Sequence, residues 1–232
     1  MTFRMPAARP AAALTLGVLA LSAFFLLATT PARAAEVDYV GYAWETGGLA
    51  ASLPGDQLSI ATVVTQIDPL FEVDLNAVEA TLYIDGLVSQ GASVDPSTGA
   101  TVITYAGGAI ALYAGAARNH AWGINPANAT VPGTFVDGDL VFSGVFTGFV
   151  VSLLPSGLGI FEGYVDGTGG SALAGPCANC AYTFSGTFAA PTAAQIPSGY
   201  DLQVDGVLAV ESAVGIEATN WGSLKALFNS GR

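Results

Sequence analysis

A five-residue pattern constrains this chain more than any other feature: a large apolar residue, a small or acidic polar residue, glycine, any residue, then a second apolar residue. It occurs as Ile84-Asp85-Gly86-Leu87-Val88, Phe142-Ser143-Gly144-Val145-Phe146, Phe161-Glu162-Gly163-Tyr164-Val165, Phe184-Ser185-Gly186-Thr187-Phe188 and Val204-Asp205-Gly206-Val207-Leu208. Each copy reads as the centre of a β-strand. Strand side chains alternate with period two, so each glycine shares a face with the two flanking apolar residues. The pattern predicts five core-facing glycines, with Asp85, Ser143, Glu162, Ser185 and Asp205 on the opposite face. A row of such glycines lets a sheet coil tightly, as a barrel requires, or leaves a groove for a bulky group to fill. The last four glycines are 19, 23 and 20 residues apart, a spacing that suits consecutive antiparallel strands joined by hairpins. The 58 residues before the second copy make the spacing too uneven for a tandem repeat.

The remaining strands follow from β-branched alternation and turn chemistry. They are expected at Val37 to Trp44, Leu58 to Ile67, Val78 to Gln90, Thr101 to Tyr105, Ile110 to Tyr113, Leu140 to Leu154, Ile160 to Asp166, Ala181 to Phe188 and Leu202 to Glu211. Along Val78 to Gln90, Ala80, Leu82, Ile84, Gly86 and Val88 are expected on one face; along Leu140 to Leu154, Phe142, Phe146 and Val150 are. Asp95-Pro96-Ser97-Thr98-Gly99 is a turn, with proline presetting φ and glycine accepting positive φ. Gly107-Gly108 permits a sharp bend. The fold class is all-β: a single antiparallel domain, either a strongly coiled sheet or a closed or partly closed β-barrel of about 8–10 strands. A β-sandwich or jelly roll is the alternative, since short strands at regular spacing suit it too.

Residues 1–34 read as a cleaved signal peptide, with Arg4 and Arg9 before an apolar run and Ala32-Arg33-Ala34 at the cleavage point. Its Ala- and Leu-rich style reads as bacterial. An uncleaved anchor is the rival reading, because the run approaches the length of a membrane span. The β-domain is expected over 35–212, and 213–232 as a linker and short amphipathic helix. There Trp221, Leu224 and Phe228 fall on one helical face, with Thr219 or Asn220 as cap. That helix reads as a closure of the barrel end or as a docking or sorting element. No membrane span is expected after signal cleavage, so the location is secreted or periplasmic. Residues 35–232 carry three basic against eighteen acidic residues, a net charge of −15. So acidic a body repels nucleic acid and anionic membranes; its partners are otherwise unknown.

Few residues suggest chemistry. Cys177 and Cys180 are the only cysteines and, in an exported chain, read as a disulfide. A redox pair would want a helix N-terminus, whereas strand residues follow. His120 is the only histidine, which rules out a three-histidine metal site. It lies in the longest aperiodic stretch, Ala114 to Phe135, where Arg118, His120, Trp122 and Asn125 form the candidate ligand-binding set. No Gly-x-Ser-x-Gly elbow, phosphate loop or dinucleotide fingerprint is present. Asp137-Gly138-Asp139 and Asp166-Gly167-Thr168-Gly169 resemble fragments of calcium loops without the full ligand spacing, so neither a cofactor nor a metal is assigned. The expectation is a non-enzymatic exported β-domain, structural or ligand-binding. One alternative is a secreted glycan or ester hydrolase with its site near residues 114–135. Another is a carrier of small apolar ligands, which requires an empty barrel.

Overall fold

The computed structural model describes residues 35–49, 52–122, 133–174, 180–189, 196–197 and 199–211. The expected signal peptide and C-terminal helix lie outside them. Nine strands run in chain order: β1 (Ala35–Glu45), β2 (Gln57–Ile67), β3 (Glu79–Val94), β4 (Thr101–Ala106), β5 (Ala109–Gly115), β6 (Asp139–Leu153), β7 (Leu158–Gly169), β8 (Ala181–Ala189) and β9 (Leu202–Glu211). All pairings are antiparallel. The meander passes β1-β2-β3-β5-β6-β7-β8-β9, and β9 returns to β1 from Ala35↔Val210 to Ala43↔Leu202. That contact closes an eight-strand barrel, so the sandwich alternative falls.

The extra strand, β4, continues the line of β5. Both lie between β3 and β6, and the break between them is Gly107-Gly108, where φ is 69° and 91°. Only glycine adopts two successive left-handed residues without a Cβ penalty. The described residues contain no α-helix, only short 3₁₀ turns at Pro69–Phe71, Gly133–Phe135 and Ser171–Ala174.

The barrel interior is built by a register rule. Residues paired across strands share a face, so the pairing can be followed around the wall. One row runs Phe149–Gly163–Phe184–Leu208–Val37 over β6, β7, β8, β9 and β1. The next runs Val151–Phe161–Gly186–Gly206–Tyr39. Each glycine of these rows lies beside an aromatic residue in its own row: Gly163 between Phe149 and Phe184, and the adjacent Gly186 and Gly206 between Phe161 and Tyr39. A Cβ on Gly163 would lie 2.6 Å from the Phe149 ring and 2.7 Å from the Phe146 ring; one on Gly186 would lie 2.6 Å from Phe161 Cζ. The missing side chains are therefore the space in which the neighbouring rings lie. Phe184 stacks on Tyr39 with centroids 4.8 Å apart and 7° between planes, and on Phe161 at 5.3 Å. Each such pair adds about 0.5–1.5 kcal/mol to the burial of the rings themselves. The Tyr39 hydroxyl donates to the Ser185 carbonyl oxygen at 3.1 Å, so its burial leaves no polar atom stranded.

Phe142, Phe161, Phe184 and Val204 are buried, and Gly144, Gly163, Gly186 and Gly206 point inward with them. The first motif copy departs from this. Ile60 pairs with Ile84 but Leu58 pairs with Leu87, so β3 bulges at Asp85-Gly86, with Gly86 at φ 73°. One extra residue reverses the alternation. Leu87 and Ser89 take the inward positions, and Val88 is only partly buried. A second register shift, between Phe146 and Gly148, does the same in β6: Phe149 and Val151 turn inward and Val150 is 38% exposed. The core-facing glycine row thus has four members rather than five.

A second apolar layer lies outside the barrel wall. Trp44, Ala61 and Tyr83 form its floor, and Phe135, Trp122 and Tyr200 cover it.

Candidate functional site

The loop between β5 and β6 was expected to hold the site, and three of its four residues are described; Asn125 lies outside the described residues. Hydrogen bonds hold the loop both to β3 with the segment before it and to itself. Arg118 Nη2 donates to the carbonyl oxygens of Leu75 at 2.7 Å and Asn76 at 2.8 Å. Both of these acceptors are backbone atoms. Glu79, at the start of β3, organises the rest. Its Oε1 accepts the amides of Asn119 at 3.1 Å and His120 at 2.9 Å, and its Oε2 meets His120 Nδ1 at 2.6 Å. Asn119 Nδ2 donates to Asp137 Oδ2 at 2.9 Å.

Trp122 is half-buried. It meets Tyr42 edge-on with centroids 4.7 Å apart, and its carbonyl accepts the Tyr200 hydroxyl at 2.9 Å. His120 packs edge-on against Trp122 and Phe135. A carboxylate holding Nδ1 leaves Nε2 as the reactive nitrogen, as in a catalytic triad. Among the described residues the contact is a His–Glu dyad, and no hydroxyl or thiol there forms a hydrogen bond to Nε2.

A different polar cluster sits inside the barrel, where β1, β3 and β4 meet. Glu45 is only 6% exposed. Tyr105 donates to its Oε2 at 2.9 Å and Ser52 to its Oε1 at 2.6 Å. Ser52 and Ser89 share a hydrogen bond at 2.7 Å, and Ser89 Oγ accepts the Gly91 amide at 3.0 Å. The Glu45 amide donates to Asp201 Oδ2 at 2.8 Å. Burial pushes the Glu45 carboxyl up, the Ser52 and Tyr105 hydrogen bonds pull against it, and the Asp56 and Asp201 carboxylates add to the rise. Burial also raises Asp201, and burial beside Glu45 raises Tyr105. Among the described residues no cation faces this cluster, which binds the β1–β2 connection to β3 rather than presenting a carboxyl to solvent. The parity of β1 points to it: Glu45 lies in step with the inward Tyr39, Gly41 and Ala43.

The outer face of β7 carries the third group. Glu162 is exposed as expected, Asp166 is exposed too, and the Tyr164 hydroxyl donates to Glu162 Oε1. Cys180 lies partly buried beside the core, while its expected partner Cys177 lies outside the described residues. Among the described residues, no three His, Cys, Asp or Glu side chains converge as metal ligands would. No helix there is long and apolar enough to cross a membrane.

The fold and its polar clusters define a closed antiparallel β-barrel with a filled interior. No protein-family model, curated protein or solved structure matches the chain.

Proposed function

We propose that this chain is an exported, non-enzymatic β-barrel that acts through its outer surface, as a structural or ligand-binding module of the periplasm or extracellular space. The observation that carries the reading is the interlock of Phe146, Phe149, Phe161, Phe184 and Tyr39 with the inward glycines. It occupies the space an apolar carrier would keep open. The roles of Arg118 and His120 as ties of the loop point the same way. Export is supported by the leader pattern of residues 1–34, and the Cys177–Cys180 disulfide belongs with that compartment. Thiol alkylation of the unreduced exported protein should label neither cysteine; labelling of both would remove the disulfide.

The His120–Glu79 contact keeps one second reading in view, a glycan or ester hydrolase with its site at this loop. Residues 35–232 should be tested with chromogenic esters and glycosides beside a melting screen against glycans and calcium. A non-enzymatic module shows no turnover above background and an unchanged result in His120→Ala. Turnover that disappears in both His120→Ala and Glu79→Gln, with melting preserved, would establish the hydrolase instead.

A further inference from the structure

The outer face of β6 to β8 carries more exposed apolar surface than solubility requires. Leu158, Ile160 and Tyr164 on β7 are each more than half exposed, and Val150 on β6 stands beside them. Two adjoining grooves lie along this face. One of ≈ 630 Å³ is lined by Leu158, Ile160, Phe188 and Gln203; another of ≈ 330 Å³ by Val150, Ile160 and Tyr164. Contiguous apolar surface of this kind marks a place where something binds.

We propose that the occupant is the chain's own C-terminal segment, residues 219–229, laid as an amphipathic helix across β7 and β8. Three observations converge on it. The first is where the chain leaves the barrel. β9 ends at Glu211, and register places Ala209 beside Thr183 and Thr183 beside Tyr164. The tail therefore starts two residues past that row, two strands from Tyr164 at the edge of the apolar face.

The second is reach. From Glu211 to the row of Ile160, Thr187 and Asp205 is six residues along a strand, about 20 Å, and β7 lies two strands away, about 10 Å, together about 22 Å. Residues 212–218 can span up to about 23 Å. An 11-residue helix is about 16 Å long, against about 20 Å from Tyr164 to Leu158.

The third is complementarity. Trp221, Leu224 and Phe228 supply one apolar face, and Lys225 and Arg232 are two of the three basic residues after residue 34. The receiving face carries Glu162 and Asp205 and no basic residue. A helix seated there would cover Ile160 and Leu158 and bring Lys225 toward these carboxylates.

Trypsin tests this directly, because Lys225 is a cleavage point within the segment. Cleavage of a docked segment tracks the undocked population. In residues 35–232, cleavage after Lys225 should be about tenfold slower than in Ile160→Glu or in Leu224→Glu. Ile160 points outward, so Ile160→Glu should keep the melting transition of the barrel, which excludes unfolding as the cause. Equal cleavage rates in all three proteins would overturn the proposal. So would a dimer, seen by light scattering, that persists in a chain ending at Glu211 and dissociates in Ile160→Glu, since the face would then belong to a second copy.

Discussion

At the scale of single residues, the inward glycines are defined by what fills their places. A Cβ on Gly186 would collide with the Asp205 carbonyl oxygen and lie 2.6 Å from the Phe161 ring. A backbone carbonyl in a closed barrel cannot retreat as a flexible side chain can. Gly186→Val should therefore cost on the order of 1–3 kcal/mol, a fall of about 2–12 °C in Tm. Gly148, which has open space around its Cβ position and no positive φ, is the control. Gly148→Ala should leave Tm nearly unchanged, and equal losses at the two positions would refute the interlock.

Glu45 makes the other single-residue case. Its folded carboxyl titrates above the unfolded value, so the folded state holds the proton more tightly. Its contribution is then greatest below the ordinary carboxylate range, about 4.3, and declines as pH rises through the raised folded value. Glu45→Gln removes that titration. The variant's Tm minus the wild-type Tm should grow more positive between about pH 4 and pH 8. A difference that is flat across melting scans in that range would show that burial does not raise the Glu45 carboxyl.

At the scale of elements, the loop between β5 and β6 behaves as a strap. Its grip is apolar before it is polar: Phe135 is fully buried, and Thr81 Oγ1 donates to the Phe135 carbonyl at 3.0 Å. The His120–Glu79 contact is exposed on the histidine side, and pairs of that kind contribute at most about 1 kcal/mol. Truncating a buried Phe costs about 3–5 kcal/mol. Phe135→Ala should thus free Trp122, seen as a red-shifted emission and stronger acrylamide quenching, whereas His120→Ala should change neither. The reverse ranking would mean that the ion pair holds the strap.

The existence of this loop was legible from its lack of periodicity. Its packing was not, because Trp44, Ala61 and Tyr83, the floor it covers, come from three different strands. Glu79 escaped notice for the same reason, since nothing in its local sequence marks it as the partner of a histidine 41 residues on.

At the scale of the molecule, closure depends on the first strand meeting the last. Hairpin contacts build the meander locally, but the β1–β9 pairing joins Ala35 to Val210. Contacts of such separation are slow to form, and barrels of this kind fold in about milliseconds to seconds. Without β1 the sheet would expose the edges of β2 and β9 and the Phe184 ring on which Tyr39 stacks. A chain beginning at Thr46 should therefore lose the cooperative melting transition rather than melt a few degrees lower. A sharp transition by circular dichroism would show that eight-strand closure is dispensable.

The strands, their order along the chain, the glycine motif and the sites of the main turns were determined by sequence alone, because alternation and turn chemistry act over a few residues. Tertiary structure decided what depends on register between strands. It placed the bulges at Gly86 and Gly148, which turned Val88 and Val150 out of the core. It made the structure a barrel and not a sandwich, through the return of β9 to β1. It also set which ring lies over which glycine, since Phe161 and Gly186 become neighbours only when two strands align. Parity is a local property, while register is fixed by the partners that packing brings together.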